Sequence, residues 1–283
     1  MGILLFNNEL VSSESTSMLT SNRGFLYGDG FFETLSIRNG RIFYLEDHFE
    51  RASIALKTLM LPCEIKNSQQ LFACIKQVWE VNHKPDFAII KWMVWRDSEG
   101  LYAPLKNNSH SLLELKPFRE AMTIKHNPVI AENIFNIKTI RSAFKSLSAL
   151  HYVLAGLEMK QKEGDEIIIL DQDKNLSEAN SSSLFWIVDN EIYTPSLSTG
   201  CIEGITRKKI ISLCTEWDIK INEVNVRYKS IPATATVFTT NIAGISILNG
   251  LEGLTFQNDS KLLSRIKEGM LRPSFSQNLG TTN

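Results

Sequence analysis

Apolar residues along this chain change their spacing repeatedly, from the period of a helix to the run of a strand and back. The segments "LEDHFERASIALKTLM" and "SQQLFACIKQVWEVN" carry apolar residues three and four apart, which predicts two amphipathic helices, the first ending before Pro62. The runs "GRIFYL" and "DFAIIKWMVWR" are typical of strands. Helices interleaved with strands predict a mixed α/β fold, to which hairpin-like neighbours such as "LFWIVDNEIYTP" add antiparallel pairing.

The second half of the chain repeats this alternation. The segment "LKPFREAMTIKHNPVIAENIFN" has two prolines and no regular period, so we place a boundary near residue 118. It predicts a small N-terminal α/β domain over residues 1–118 and a larger C-terminal domain over residues 119–283. In the larger domain we expect helices over "TRKKIISLCTEWD" and "DSKLLSRIKEGML" and strands at "DEIIILD", "SLFWIV", "EIYTP", "KINEVNV" and "TVFTT". The last residues, "RPSFSQNLGTTN", are expected to fray.

Charge and composition exclude several classes of protein. The 283 residues carry a formal net charge of −1, which argues against nucleic acid as a partner, since phosphate binding needs a basic surface. The apolar runs are far too short to span a membrane, and the N-terminus lacks the basic start of a signal peptide. The cysteines show no metal-ligand spacing, so we expect no metal site and free thiols in a cytoplasmic protein: Cys63, Cys74, Cys201 and Cys214.

One lysine has an unusual setting. Lys145 comes directly before a segment whose helical spacing predicts a buried helix over residues 146–162. A cation is disfavoured at the positive end of a helix dipole. Desolvation there would favour the neutral amine, which suits Schiff-base chemistry. A surface lysine that extends its ammonium to water is the alternative.

Three other motifs carry polar groups that could bind an anion or a ring nitrogen. Glu178 precedes three serines in "LSEANSSSLFW", and the alternative is that this segment is simply a solvated polar turn. In "CIEGITRKK", Gly204-Ile205-Thr206 stands at a predicted helix start, where free N–H groups favour a phosphate, although Thr206 could simply be the N-cap. In "HFER", His48 and Arg51 share one helix face, and Arg binds phosphate well, although a surface ion pair is the default.

The order of five motifs resembles that of the class IV aminotransferases, the fold type IV enzymes that use pyridoxal 5'-phosphate. The motifs are "RGFLYGDGFFET", "HFER", "FKSLSALHYVLAGLEM", "DEIIILDQDKNLSEANSSSLFW" and "GITR", and the resemblance covers roughly residues 20–250. It implies a two-domain fold like that of D-amino acid aminotransferase, with a barrel-like C-terminal domain. It also implies pyridoxal phosphate as cofactor, a small amino or carboxylate substrate and a homodimer.

The resemblance also implies a role for individual residues. Lys145 would bond covalently to the cofactor and move protons, while Lys138 in "NIKTIRS" is a competitor that the distance to "VLAGLEM" disfavours. Glu178 would pair with the pyridine nitrogen and keep it protonated. Further cofactor contacts would come from Arg51, Ser182, Ile202, Ile205, Thr206, Thr240 and Asn241. The chain departs from common members around Thr240 and Asn241, and at Ser148, where relatives often carry Asn.

The residues expected to bind substrate favour one reaction among those that the family catalyses. Phe32 stands where D-amino acid aminotransferases resemble one another in having Tyr, and Thr34 stands where branched-chain enzymes typically have Gly. Arg96, with Tyr102 beyond it, is a candidate ligand for a substrate carboxylate, a rim salt bridge being the alternative. We therefore expect a 4-amino-4-deoxychorismate lyase, which releases pyruvate and leaves 4-aminobenzoate. The alternative is a branched-chain or D-amino acid aminotransferase that uses 2-oxoglutarate, and a non-catalytic cofactor-binding relative is the remote one.

Overall fold

The computed structural model describes residues 2–14 and 22–280. Its helices are α1 (Arg23–Tyr27), α2 (Leu45–Leu59), α3 (Ser68–Val81), α4 (Leu150–Gln161), α5 (Ile205–Glu216) and α6 (Lys261–Met270). Its strands are β1 (Ile3–Phe6), β2 (Glu9–Ser12), β3 (Gly30–Arg38), β4 (Arg41–Phe43), β5 (Phe87–Asp97), β6 (Asn108–Pro117), β7 (Ile124–Lys125), β8 (Pro128–Asn136), β9 (Glu166–Asp171), β10 (Leu176–Ala179), β11 (Ser183–Val188), β12 (Glu191–Pro195), β13 (Ile221–Val224), β14 (Thr236–Asn241), β15 (Gly244–Leu248), β16 (Gly250–Leu251), β17 (Leu254–Thr255) and β18 (Ser276–Asn278).

The chain divides into two compact units. The first contains Met1–Arg119, Ala143–Ala149 and Pro273–Asn283, and the second contains Glu120–Ser142 and Leu150–Arg272. The first division falls one residue from the boundary predicted near residue 118, but two later segments also belong with the first unit. One of these short segments carries Lys145.

The first unit is built on a seven-stranded antiparallel sheet in the order β18-β4-β3-β5-β6-β1-β2. Along β3 and β5 every second residue is buried, because side chains alternate between the two faces of a sheet. Helices α2 and α3 contribute their apolar sides to the same core as these inward residues. The outward side chains of β3 and β5 thus form a second, more open face, which is called the open face below.

The second unit contains two larger sheets. One has six strands in the order β13-β12-β11-β14-β15-β7, with parallel pairing at both edges and antiparallel pairing between. The other has three strands in the order β10-β9-β8, and every residue of β9 is buried, as expected of the apolar run "EIIILD". The mixed α/β class predicted from the sequence is confirmed. Within residues 2–14 and 22–280, no helix combines the length and apolar character needed to cross a bilayer.

The helix after Lys145 differs from its prediction. It begins at Leu150 rather than at residue 146, so Lys145 lies five residues before it and not at its N-terminus. The prediction of a buried helix is also wrong. Only Ala155 of α4 is fully buried, whereas the four apolar residues that set the helical period are exposed by 43–68%: Leu150, Val153, Leu154 and Leu157. The period therefore marks an apolar outer surface rather than a core.

The C-terminal segment does not fray over the residues described. Ser276–Asn278 pairs antiparallel with β4, and Leu279 is completely buried in the core of the first unit. The sequence "RPSFSQNLGTTN" has no strand-like alternation, so the pairing depends on the partner strand rather than on a local pattern. Its last three residues lie outside the described residues.

Candidate active site

Lys145 is held in place by strand β3. The backbone N–H of Phe32 donates to the carbonyl of Lys145 at 2.9 Å, and the N–H of Leu147 donates to the carbonyl of Gly30 at 3.0 Å. An antiparallel bridge joins Phe31 to Ser146. The lysine thus lies on a short extended segment beside β3. Backbone pairing, and not a helix dipole, fixes its position.

Two glycines upstream allow this segment to approach. Gly28 has a φ of +63°, and a Cβ placed on it would lie 2.8 Å from the backbone of Ser148. A Cβ on Gly30 would lie 2.3 Å from the carbonyl of Val94 and 2.7 Å from the side chain of Leu147. Any larger residue at either position would push the Lys145 segment away. Gly28 and Gly30 therefore allow the lysine segment to pack closely against this part of the chain.

Lys145 shares the ring of Phe32 with a second lysine. The Nζ atom of Lys145 is 5.7 Å from the centre of this ring, and the Nζ atom of Lys91 is 5.1 Å from it. Lys91 pairs with Thr34 across β3 and β5, on the open face of the sheet. Burial, followed by the charge of Lys116, lowers the pKa of Lys91, against the opposite effect of Glu114. The open face thus carries two ammonium groups beside one aromatic ring.

The opposite face of β3 carries a buried charged cluster. The Glu33 carboxylate accepts from Arg51 Nε at 2.7 Å and Nη2 at 2.6 Å, and it lies 2.7 Å from Nδ1 of His48. Burial raises the pKa of Glu33, but the charge and hydrogen bonds of Arg51 and His48 outweigh it and bring the value to about 2. Burial lowers the pKa of His48, so its Nδ1 carries the proton toward Glu33. The predicted pairing of His48 and Arg51 on one helix face is confirmed, and their shared partner is Glu33.

This cluster bears on the predicted role of Arg51. Two of its three guanidinium nitrogens bond to Glu33, and the side chain is buried. The geometry favours a role in anchoring α2 to β3. Phosphate binding by Arg51 stays a prediction.

Arg96 and Tyr102, predicted to bind substrate, are placed differently from each other. Arg96 is buried, and its three guanidinium nitrogens donate to Asp29, to Asn107 and to the carbonyl of Leu59. These contacts favour a structural role for Arg96, so carboxylate binding by it stays a prediction. Tyr102 is 89% exposed on a loop, with its ring 5.8 Å from that of Tyr27.

In the second unit, Glu178 is the centre of a buried hydrogen-bond network. Its Oε1 accepts from the Tyr152 hydroxyl at 2.7 Å and from Asn136 Nδ2 at 2.8 Å, and its Oε2 accepts from the N–H of Ile202 at 3.1 Å. Hydrogen bonds to the ionised form of a carboxyl group favour that form. The network therefore holds Glu178 as a carboxylate. Ile202, a predicted cofactor contact, donates to this network through its backbone N–H.

The start of helix α5 forms an anion-binding arrangement in the same unit. Gly204 is the N-cap, with no side-chain cap, so Thr206 is the second helical residue, and the alternative that Thr206 is the N-cap is wrong. A Cβ on Gly204 would lie 2.5 Å from Ser183 Oγ, so a larger residue there would require the Ser183 hydroxyl to move. Ser183 pairs with Thr240 across β11 and β14. Among the described residues, the buried Thr240 hydroxyl has no hydrogen-bond partner.

The other predicted contacts in this region support the backbone. Asn241 Nδ2 donates to Ser182 Oγ at 3.0 Å, and Asn241 Oδ1 accepts from the N–H of Ala243 at 2.8 Å. These bonds join the turn after β14 to the serine segment. Cofactor contacts by Ser182 and Asn241 stay predictions.

Comparison with known proteins places the chain in a family. The model of the amino-transferase class IV family matches residues 30–246, which include both the Lys145 segment and the network of Glu178. The chain belongs to the class IV aminotransferases.

Individual relatives support this assignment at low identity. The chain is 25% identical over 264 residues to the D-alanine aminotransferase of Bacillus licheniformis, a match that covers 89% of each chain. It is 24% identical over 250 residues to a putative branched-chain-amino-acid aminotransferase of Methanocaldococcus jannaschii, covering 85% of this chain and 84% of that protein. A solved branched-chain amino acid aminotransferase from Escherichia coli has the same fold, with a TM-score of 0.89, 21% identity and 99% of both chains covered.

A class IV aminotransferase is a pyridoxal-phosphate-dependent enzyme, and the residues present fit this cofactor. Lys145 supplies a half-buried primary amine, and Glu178 a buried carboxylate that can pair with a ring nitrogen. The uncapped start of α5 and the unpartnered Thr240 hydroxyl offer N–H and O–H donors of the kind a phosphate group accepts.

Three residues near the predicted ones carry no signal that the predictions used. Tyr152 and Asn136 contact Glu178 from α4 and from the end of β8, and Lys91 lies on β5. The alternation of "DFAIIKWMVWR" could have flagged Lys91, since a lysine replaces an apolar residue at one outward position. No local pattern marks Tyr152 or Asn136, because their contacts span 26 and 42 residues of sequence.

Proposed function

We propose that this enzyme transfers the amino group of an amino acid to a 2-oxo acid. The observation that carries the proposal is the retention of both Lys145 and a hydrogen-bonded Glu178 carboxylate within the matched residues 30–246. A relative that only bound the cofactor would not need both a lysine and an ordered carboxylate network. The relatives named above are aminotransferases for D-alanine and for branched-chain amino acids.

Each polar group has a distinct part in the proposed reaction. Bound pyridoxal phosphate supplies an electron sink for the carbon that loses its proton. We assign Lys145 as the residue that holds the cofactor and moves the proton, and Glu178 as the partner that keeps the ring nitrogen protonated. The N–H groups of Ile205 and Thr206, with the Thr240 hydroxyl, are assigned to the phosphate.

The open face of the first unit supplies a candidate for substrate binding. The Lys91 ammonium has no hydrogen bond or ion pair within the described part of the chain, and Glu114, its cross-strand partner on β6, pairs with Lys116 at 3.0 Å. A half-buried cation with no direct ion pair favours an anionic ligand. Amino acids and 2-oxo acids both carry carboxylates. We therefore assign Lys91 to a carboxylate of the substrate.

The lyase expected from the sequence is less well supported than transamination. That expectation rested on Phe32, Thr34 and Arg96, and the Arg96 guanidinium is occupied by internal partners. Phe32 has two ammonium groups near its ring, a setting that suits the carboxylate of either kind of substrate. The named relatives are aminotransferases, which favours the alternative reading.

The test is an assay of the purified enzyme with two kinds of substrate. One set of reactions contains 2-oxoglutarate with L-leucine, L-valine, L-glutamate or D-alanine as donor, and the other contains aminodeoxychorismate alone. We expect a new 2-oxo acid and a new amino acid in the first set. Pyruvate and 4-aminobenzoate in the second set, with no transfer in the first, would replace this proposal with the lyase.

The homodimer implied by the family resemblance is also part of the proposal. Leu150, Val153, Leu154 and Leu157 form an exposed apolar stripe along α4, while Tyr152 and Ala155 face the core. Four large apolar side chains at helical spacing favour coverage by another protein surface. We propose that a second copy of the chain covers this stripe. The cytoplasmic location stays a prediction from the four scattered cysteines.

A further inference from the structure

Tyr152 joins helix α4 to the Glu178 carboxylate. Its ring packs with the small core formed by α4 and β9, and its hydroxyl lies 2.7 Å from Glu178 Oε1. Burial, followed by the charge of Glu178, raises the pKa of Tyr152. The hydroxyl therefore keeps its proton and donates it in this hydrogen bond.

Asn136 donates to the same oxygen from another element. Its Nδ2 atom lies 2.8 Å from Glu178 Oε1 and 2.9 Å from Ser177 Oγ, and the residue is 4% exposed. With both N–H groups used, the orientation of the amide is fixed by its partners. Ser177 is held in turn by the Thr199 hydroxyl at 3.1 Å. The carboxylate is thus bounded by side chains that have little freedom to rotate.

Burial alone would work against the role assigned to Glu178. A carboxyl group removed from water favours its neutral form, and a neutral acid cannot keep a ring nitrogen protonated. Two donors that converge on one oxygen reverse this preference and also select one rotamer. The second oxygen, Oε2, accepts from the backbone of Ile202.

We propose that Tyr152 and Asn136 are positioning residues for the amino-group transfer, holding Glu178 ionised and in one orientation toward the cofactor ring. The inference rests on the proposed function for its catalytic consequence. Its physical content, the control of Glu178 by two donors, can be measured without substrate. Neither residue is given a contact with the reacting atoms.

The first experiment removes one hydroxyl and nothing else. Tyr152→Phe is compared with Tyr193→Phe. The Tyr193 hydroxyl also donates to a carboxylate, because it lies 3.0 Å from Oε2 of Glu191, and both residues lie on β12. Each holoenzyme is titrated with pH while the absorption of its bound cofactor is recorded. We expect Tyr152→Phe to shift the titration of the cofactor and to lower kcat by about tenfold, with KM changed less than about threefold. Tyr193→Phe should match the wild type in both.

Asn136→Ala gives a second, independent deletion on the same oxygen. We expect it to shift the cofactor titration in the same direction as Tyr152→Phe, and thermal melting establishes that each variant is folded. If neither variant shifts the titration relative to Tyr193→Phe, the inference is overturned. This outcome does not depend on which substrate the enzyme uses, so it is distinct from a failure of the proposed function.

A double-mutant cycle shows whether Tyr152 acts through Glu178. In the Glu178→Gln background the carboxylate is absent, so Tyr152→Phe should lower kcat no further, and the two single effects should not add. Additive losses in the cycle would mean that Tyr152 acts by packing alone, which would contradict the inference. The same cycle with Tyr193→Phe should give no interaction.

Discussion

At the scale of single residues, the position of a lysine relative to Phe32 separates its possible roles. The Nζ atoms of Lys145 and Lys91 lie 5.7 Å and 5.1 Å from the centre of this ring, whereas Lys138 is exposed on the connection after β8. A half-buried ammonium is a better ligand for an anion than one in water, because little solvation is lost when the anion arrives. This difference leads to a prediction for Lys91.

Replacing Lys91 by Ala should weaken the binding of carboxylate substrates. Loss of one charge-assisted hydrogen bond should raise KM by about tenfold or more, with a smaller change in kcat. Lys91→Arg keeps the charge and should retain most of the affinity. The control is Lys57→Ala, at an exposed position of α2. A Lys91→Ala enzyme with the KM of the wild type would contradict the assignment.

At the scale of elements, the contact between α2 and β3 depends on the charge of Glu33. The pKa of Glu33 is about 2 in the folded protein, against an ordinary value of 4.5. Because the folded value is the lower one, ionised Glu33 stabilises the fold above pH 4.5, and this contribution is lost as the pH falls toward 2. The pKa of His48 is also lowered in the folded protein, so stability is lost as the pH falls below the ordinary value of 6.5. This loss adds to that caused by Glu33.

Glu33→Gln should therefore remove part of the acid dependence of stability. We expect its free energy of unfolding at neutral pH to fall by about 3 kcal/mol, and the difference from the wild type to shrink as the pH approaches 2. Urea unfolding at several pH values measures this difference. Glu9→Gln, at an exposed position of β2, is the control and should leave the curve unchanged. A constant difference at every pH would show that Glu33 acts by packing and not by charge.

The C-terminal strand contributes more to stability than its sequence indicates. Leu279 has no exposed surface and belongs to the core of the first unit, so Leu279→Ala should cost about 3 kcal/mol of unfolding free energy. Leu271, which is 52% exposed just after α6, provides a matched deletion that should cost less than about 0.5 kcal/mol. Equal effects of the two deletions in urea unfolding would mean that the β18 segment is not part of the core.

The sequence predicted those elements whose signals are local. Strands such as Ser183–Val188 and Glu191–Pro195 have the bounds that were predicted for them. Their residue pattern marks where each strand begins and ends without any information from distant residues. Helix α4 was misjudged because a helical apolar period shows which residues share a face, not whether that face is buried. The final strand, β18, and the long-range partners of Glu178 depend on contacts that no local pattern carries. Motif order singled out Lys145 and Glu178, whose roles stay predictions, while Tyr152 and Lys91 were found only from the folded chain.

At the scale of the whole molecule, the exposed stripe of α4 predicts a dimer. Light scattering should give twice the chain mass of 32.1 kDa. A pair of substitutions on the stripe, Val153→Asp with Leu157→Asp, should reduce the mass to that of one chain, since charges on an apolar interface are not solvated. Met60→Asp, at a residue 75% exposed after α2, is the control and should stay dimeric. A monomeric wild type with full activity would contradict the proposal.

The central claim is that this class IV aminotransferase holds its cofactor through Lys145. Borohydride reduction of the holoenzyme fixes the cofactor to whichever lysine holds it, and peptide mapping then identifies that residue. We expect a pyridoxyl group on Lys145, and loss of both the cofactor absorption band and turnover in Lys145→Ala. A pyridoxyl group on Lys138 would contradict the account and overturn the assignment of the site around the extended segment beside β3.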